Sequence, residues 1–104
     1  MTMIGELSDF ITDELSGVCK YAKMAMHLKA ENKELAEMFF NMANAELLHL
    51  KNIHSWLVKF IEKERKEKAD KVPQGMLDVW EWRHKKMIKK LAKAEMLLQS
   101  YQKL

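Results

Sequence analysis

One cysteine, one proline and three glycines in 104 residues leave several fold classes without their raw material. Cys19 alone cannot close an intrachain disulfide, and it removes any Cys-x-x-Cys metal or redox centre built by a single chain. No uncharged apolar run approaches the ~18 residues that a membrane-spanning helix requires. Residues 1–11 lack the basic start, apolar stretch and small-residue cleavage site of an export leader, so a cytoplasmic location is expected. Alternating apolar and polar residues, hairpin turn pairs, internal repeats and low-complexity tracts are all missing, which speaks against strands and solenoids. Charge of one sign is scarce as well: the net value is +3, its lysine surplus lies mostly in the last third, and no base-reading motif accompanies it. Nucleic acid is therefore not the expected partner.

What remains is 48% apolar and 32% charged residues, too apolar for disorder and right for one small all-α domain spanning residues 1–104. A chain this short buries roughly 60–65% of its unfolded surface, so its core is thin and oligomerisation is a natural remedy. Three stripes with alternating spacings of three and four mark three amphipathic helices. The first runs Ile4, Leu7, Ile11, Glu14, Val18, Tyr21, Ala25, Leu28 and predicts a helix over about 3–30. It passes Gly5 and Gly17, each costing about 1 kcal/mol against Ala in a helix, so packing must override propensity, and Gly17 invites a close neighbour. A polar run around Asn32, a residue suited to a left-handed cap or an N-cap, predicts a short turn.

The second stripe runs Leu35, Phe39, Met42, Glu46, His49, Ile53, Trp56, Phe60 and predicts a helix over about 33–66. The apolar pattern stops over residues 62–71, and Val72-Pro73-Gln74-Gly75 marks the second connection. The third stripe, Leu77, Trp80, His84, Met87, Leu91, Ala94, Leu98, Tyr101, predicts a helix over about 76–103.

Glu14 is the only charged residue on the first stripe, and Glu46 and His49 are the only ionisable ones on the second. In an antiparallel pair turning near Glu31, position i lies level with roughly 62 minus i, because both helices rise ~1.5 Å per residue. Glu14 therefore meets the 46–49 stretch. Glu46 and His49, three apart, leave one helix face side by side. Desolvating two carboxylates on apolar seams costs several kcal/mol without compensation, which a divalent cation would supply. Two carboxylates and an imidazole suit iron or manganese, and zinc also accepts them.

Glu14 with Tyr21 seven residues on, followed by Glu46-x-x-His49 on the next helix, resembles the first helix pair of ferritin-like and rubrerythrin-like proteins over about residues 8–61. Such bundles use one Glu from each of two helices and Glu-x-x-His from the other two, so this chain carries half of the set. The resemblance implies a ferritin-like antiparallel hairpin plus a third helix, dimerising into a four-helix-type bundle. A two-fold homodimer, or a higher homo-oligomer, would then join Glu14, Glu46 and His49 of both copies into an intersubunit site for two irons per dimer, with Mn or Zn as alternatives. It further implies Fe(II) oxidation and iron handling or peroxide-linked oxidoreductase chemistry, with Tyr21 as a candidate catalytic phenol near a ligand carboxylate. The half-bundle also resembles encapsulated ferritin-like proteins, but residues 97–104 lack the Gly-containing docking tail of such cargo, so encapsulation is not expected.

Other candidates read as structure. Glu81-x-x-His84 repeats the spelling, but Glu46 is level with roughly positions 92–98 of the third helix, leaving Glu81 about four turns away. Asp78-Val-Trp-Glu81 reads as a capping box and His84 as a seam histidine. Glu95 has the right height beside its stripe and is kept as an extra ligand candidate. His27 and His54 fall off the seams, facing solvent or an interface. Met24, Met26, Met38, Met42, Met87 and Met96 read as gap-filling core rather than a Cu(I) site, and Cys19 as a small buried filler. Residues 83–93 hold six basic residues and no acid, a solvated face that could also meet phosphates, an acidic partner or an anionic membrane surface. Trp80 and Trp82 are candidates for a dimer contact. The competing function is a non-enzymatic helical adaptor or oligomerisation module that holds a protein or anionic partner through its third helix.

Overall fold

A computed structural model describes residues 2–67 and 73–104. It contains three helices, α1 (Met3–Leu28), α2 (Lys33–Glu67) and α3 (Gln74–Lys103), and no strand among the described residues. Residues 68–72 of the second connection, Val72 included, lie outside the described residues. None of the described helices is long and apolar enough to cross a membrane.

Local chemistry sets the helix starts. Thr2 accepts the backbone N–H of Gly5 at 3.0 Å through Oγ1, and Asn32 accepts that of Leu35 at 3.1 Å through Oδ1, each satisfying one of the donors a helix start leaves free. Asn32 is thus the N-cap of α2, and no non-glycine residue among those described has a positive φ, so the left-handed alternative is excluded. α3 begins at Gln74 behind Pro73, which places Asp78 inside the helix, accepting from Gln74 Nε2 at 3.0 Å. The capping box expected at Asp78 and Glu81 therefore does not form: the N-cap is Pro73, five residues earlier, and Glu81 pairs with Arg65 at 3.0 Å instead.

The molecule is a rod of 57 × 18 × 17 Å with α1 at its centre. α1 buries Ile4, Ile11, Leu15, Val18, Ala22 and Ala25, so every member of its predicted stripe is buried or half-buried. The third stripe likewise holds, with Met87, Ala94, Leu98 and Tyr101 buried and its other members half-buried. α3 packs chiefly on α1 and runs parallel to it, as the Asp9–Arg83 ion pair at 3.0 Å and the Lys29 Nζ bond to the Tyr101 carbonyl at 2.6 Å both require. Lys29 also lies 4.2 Å from the Tyr101 ring centroid, and that ring stacks on Phe40 at 4.5 Å, tying the end of α3 to the α1–α2 turn.

α2 departs from the predicted seam. It turns Ala36, Ala43, Leu50 and Leu57 to the core, a strict seven-residue spacing that winds it along α1. Of the expected stripe, Phe39, Glu46, Ile53 and Phe60 are half-buried, but Leu35, Met42, His49 and Trp56 are exposed. The reason is the two alanines: with almost no side chain they let the helix axes close together, which draws their side of α2 inward and rotates the bulkier residues beside them outward.

Candidate metal centre

The α1–α2 turn sets a register in which Gly17 faces Glu46, so Glu14, Glu46 and His49 come to one height. One ligand atom from each lies within 4.8 Å of the others. Two atoms bonded at ~2.1 Å to one ion are at most about 4.2 Å apart, so an ion shared by all three would require the widest pair to draw in. Glu14 and Glu46 are half-buried, while His49 is exposed, so the site opens at the surface of the rod and is not enclosed within it.

Two observations test whether a cation fits. Glu14 Oε2 has no accessible surface and no hydrogen-bond partner. A buried, unsatisfied acceptor costs about 1–3 kcal/mol, and more when charged, so an oxygen held this way calls for a partner, and a cation at the three-residue group would supply one. At Gly17, a Cβ would come 3.7 Å from Glu46 Oε2, an ordinary van der Waals contact, so the Glu46 carboxylate lies directly over the α1 backbone at this point. Two carboxylate oxygens and one imidazole nitrogen are hard-to-borderline donors that fit iron or manganese and accept zinc.

Tyr21 lies on the Glu14 face but packs against Phe39, with ring centroids 6.1 Å apart, and its hydroxyl bonds to none of the three residues. Glu95 pairs with Lys51 at 3.3 Å and does not join the group, because the antiparallel α2–α3 register puts it level with residue 51 rather than 46. Glu81 and His84 are remote from the group for the same reason. Among the described methionines, Met87 alone is buried; Met24, Met38, Met42 and Met96 are exposed, so the core-filling reading fails for these four. His27 is exposed, Trp82 is exposed, Trp80 packs half-buried against the core, and Cys19 is half-buried.

His54 was expected to face solvent or an interface, yet it is half-buried and its Nε2 lies 2.9 Å from Nε2 of His84. The ring centroids are 5.1 Å apart with planes only 14° from parallel, so the nitrogens point at one another, about one ring radius in from each centroid. At this distance the two nitrogens share an N–H···N bond when one ring presents its N–H and the other a bare nitrogen. Burial, and then the charge of His84, lower the His54 pKa below its ordinary value. The height count that separated Glu81 from Glu46 also brings His54 level with about residues 84–90, so the signal was in the sequence.

A family model described as Rubrerythrin matches residues 7–96. Comparison with curated proteins and with solved structures finds no match.

Proposed function

The chain belongs to the rubrerythrin family of ferritin-like proteins, and on that premise we propose that it is a metal-binding subunit contributing Glu14, Glu46 and His49 to a dinuclear centre shared by two copies. The buried, unpartnered Oε2 of Glu14 within the three-residue cluster carries this reading. In it, a homodimer would hold two irons or two manganese ions between its subunits and act in Fe(II) oxidation or in peroxide-linked oxidoreductase chemistry, whereas two zinc ions there would be redox-inert. Two irons held by these residues would supply a redox couple able to react with dioxygen or peroxide.

Each residue has a distinct part. Glu14, fixed among core residues of α1, offers an oxygen that water cannot reach. Glu46 lays its carboxylate against the bare backbone at Gly17. His49 is the exposed member, and it shares its stripe with exposed Leu35, Met42 and Trp56. A second copy laid on that stripe across a two-fold axis would cover these apolar groups and bring its own three ligands to the first set. Tyr21, two turns along the Glu14 face with its ring against Phe39, would have to turn toward the glutamates to donate a proton to either.

Anaerobic Fe(II) titration tests the proposal, with metal counted per chain and air then admitted under optical detection of a diferric product. We expect about one iron per chain, lost in Glu46→Ala, with the dimer confirmed by sedimentation. A wild-type dimer that binds no iron would overturn it.

A further inference from the structure

The six basic residues between Arg83 and Lys93 find a counterpart in the fold that their own helix does not reveal. Arg83, Lys86, Lys90 and Lys93, spaced three, four and three apart, form one wall of a groove of about 770 Å³ between α1 and α3. Lys20 and Lys23 of α1 stand in the opposite wall, and no carboxylate lines it. Among the described residues, Lys20, Lys23, Lys90 and Lys93 make no ion pair; only Arg83 does, with Asp9 at the groove's end. The floor is apolar, made by Leu15, Cys19 and Met87. At one end stands Trp82, 58% exposed, with the Lys86 ammonium 4.3 Å from its ring centroid.

We propose that this groove docks an acidic amphipathic helix of a partner protein. A cleft lined by one sign of charge focuses its field on an incoming opposite charge. The residues along each wall span eleven positions, about 17 Å or three helical turns, and the cations recur about once per turn. A helix with an apolar stripe flanked by glutamates repeats its charges at that interval, lays the stripe on Leu15, Cys19 and Met87, and meets lysines on both sides. Trp82 gives such a partner an aromatic anchor of the kind that dominates binding energy. A phosphate backbone satisfies the cations but leaves half-buried Cys19 and the exposed Trp82 without an apolar partner, which is why a helix is preferred to nucleic acid.

The groove does not depend on the metal reading, since none of its residues belongs to the Glu14, Glu46, His49 group. The full chain, metal-free, is titrated with a synthetic helical peptide of about three heptads carrying Leu at the seam positions and Glu on both flanks. Binding is followed by fluorescence anisotropy. We expect the peptide to bind wild type and Glu46→Ala alike, and Lys20→Glu/Lys90→Glu/Lys93→Glu to bind it at least tenfold more weakly with unchanged helix content. A peptide with Lys in place of Glu should show the reverse preference, binding the triple variant over wild type. Equal binding of the acidic peptide to wild type and the triple variant would overturn the proposal. So would tighter binding of a duplex or single-stranded oligonucleotide through the same lysines, or a lysine-dependent self-association that excludes the peptide.

Discussion

Replacing Glu14 by Met separates what the carboxylate costs the fold from what it does. Met has similar reach, high helix propensity and no polar oxygen to leave unsatisfied. Because Glu14 Oε2 is buried without a partner, the metal-free variant should be more stable than wild type by about 1–3 kcal/mol. For a chain of this size each kcal/mol moves the melting midpoint by roughly 4–8 °C. An ion that binds only the folded form returns about 2.7 kcal/mol at a hundredfold excess over its Kd, so metal should close or reverse the gap for wild type and do nothing for the variant. The assay is anaerobic urea and thermal unfolding followed by far-UV circular dichroism, with chelator or with Fe(II), Mn(II) or Zn(II), at one fixed protein concentration because a dimer melts by mass action. A metal-free variant less stable than wild type would mean that Glu14 has a protein partner. Equal metal stabilisation of both proteins would remove Glu14 from the ligand set.

Gly17→Ala should stabilise the metal-free protein by up to about 1 kcal/mol, since the new Cβ meets Glu46 Oε2 at an ordinary 3.7 Å; a destabilised variant in urea melts would show that α1 and α2 sit closer than this. The His54–His84 bond gives a pH dependence of definite sign. The folded His54 pKa is lowered from 6.5, so between that folded value and 6.5 the unfolded chain binds the extra proton. The contribution is intact above pH 6.5 and is lost as pH falls through the folded pKa. Melting midpoints measured from pH 7.5 to 5 should therefore drop more for wild type than for His54→Leu, and parallel curves would refute the assignment. Trp56→Glu, on the exposed stripe of α2, should keep its helix content while weakening dimerisation at least tenfold by sedimentation equilibrium, with iron per chain falling in step; an unweakened dimer would place the interface elsewhere.

How far the sequence could be read depended on how many partners each helix has. α1 lies between two neighbours, its apolar stripe is wide, and all eight residues from Ile4 to Leu28 on it are covered. α2 touches α1 along one narrow seam and carries a second apolar file one residue earlier in the chain, Leu35, Met42, His49 and Trp56 beside Ala36, Ala43, Leu50 and Leu57. Periodicity cannot choose between files offset by one position, and side-chain size points to the wrong one, because the larger residues carry more apolar area while the smaller ones admit the closer helix. The ligand heights survived this error: they depend on rise per residue and turn length, which a rotation of α2 about its own axis leaves unchanged. The capping box at Asp78 and the solvent-facing His54 failed for different reasons, the first because α3 starts a full turn earlier and the second because it needed the α2–α3 register applied to a residue off the stripe.

The exposed file has a consequence for the assembly. A lone three-helix rod that left Leu35, Met42 and Trp56 in water would gain nothing from their size, and polar residues there would serve its solubility better. His49 sits between Met42 and Trp56 in that same file, so any surface that buries the apolar residues must also desolvate the imidazole beside two carboxylates. A foreign apolar partner would bury His49 next to Glu14 and Glu46 without supplying donors, adding to the cost that the Glu14 oxygen already carries. A second copy turned about a two-fold axis brings matching ligands to the same place, so that two cations can satisfy both sets while the apolar file closes over them. In the proposed dimer one event would relieve both the unfavourable carboxylate and the exposed stripe, whereas metal alone would relieve only the first and apolar contact alone only the second. Metal binding and dimerisation should accordingly be linked, each tightening the other by the same factor. Sedimentation at protein concentrations near the metal-free dimer Kd, repeated with saturating Fe(II) under anaerobic conditions, measures that factor directly, and a dimer Kd indifferent to metal would break the link.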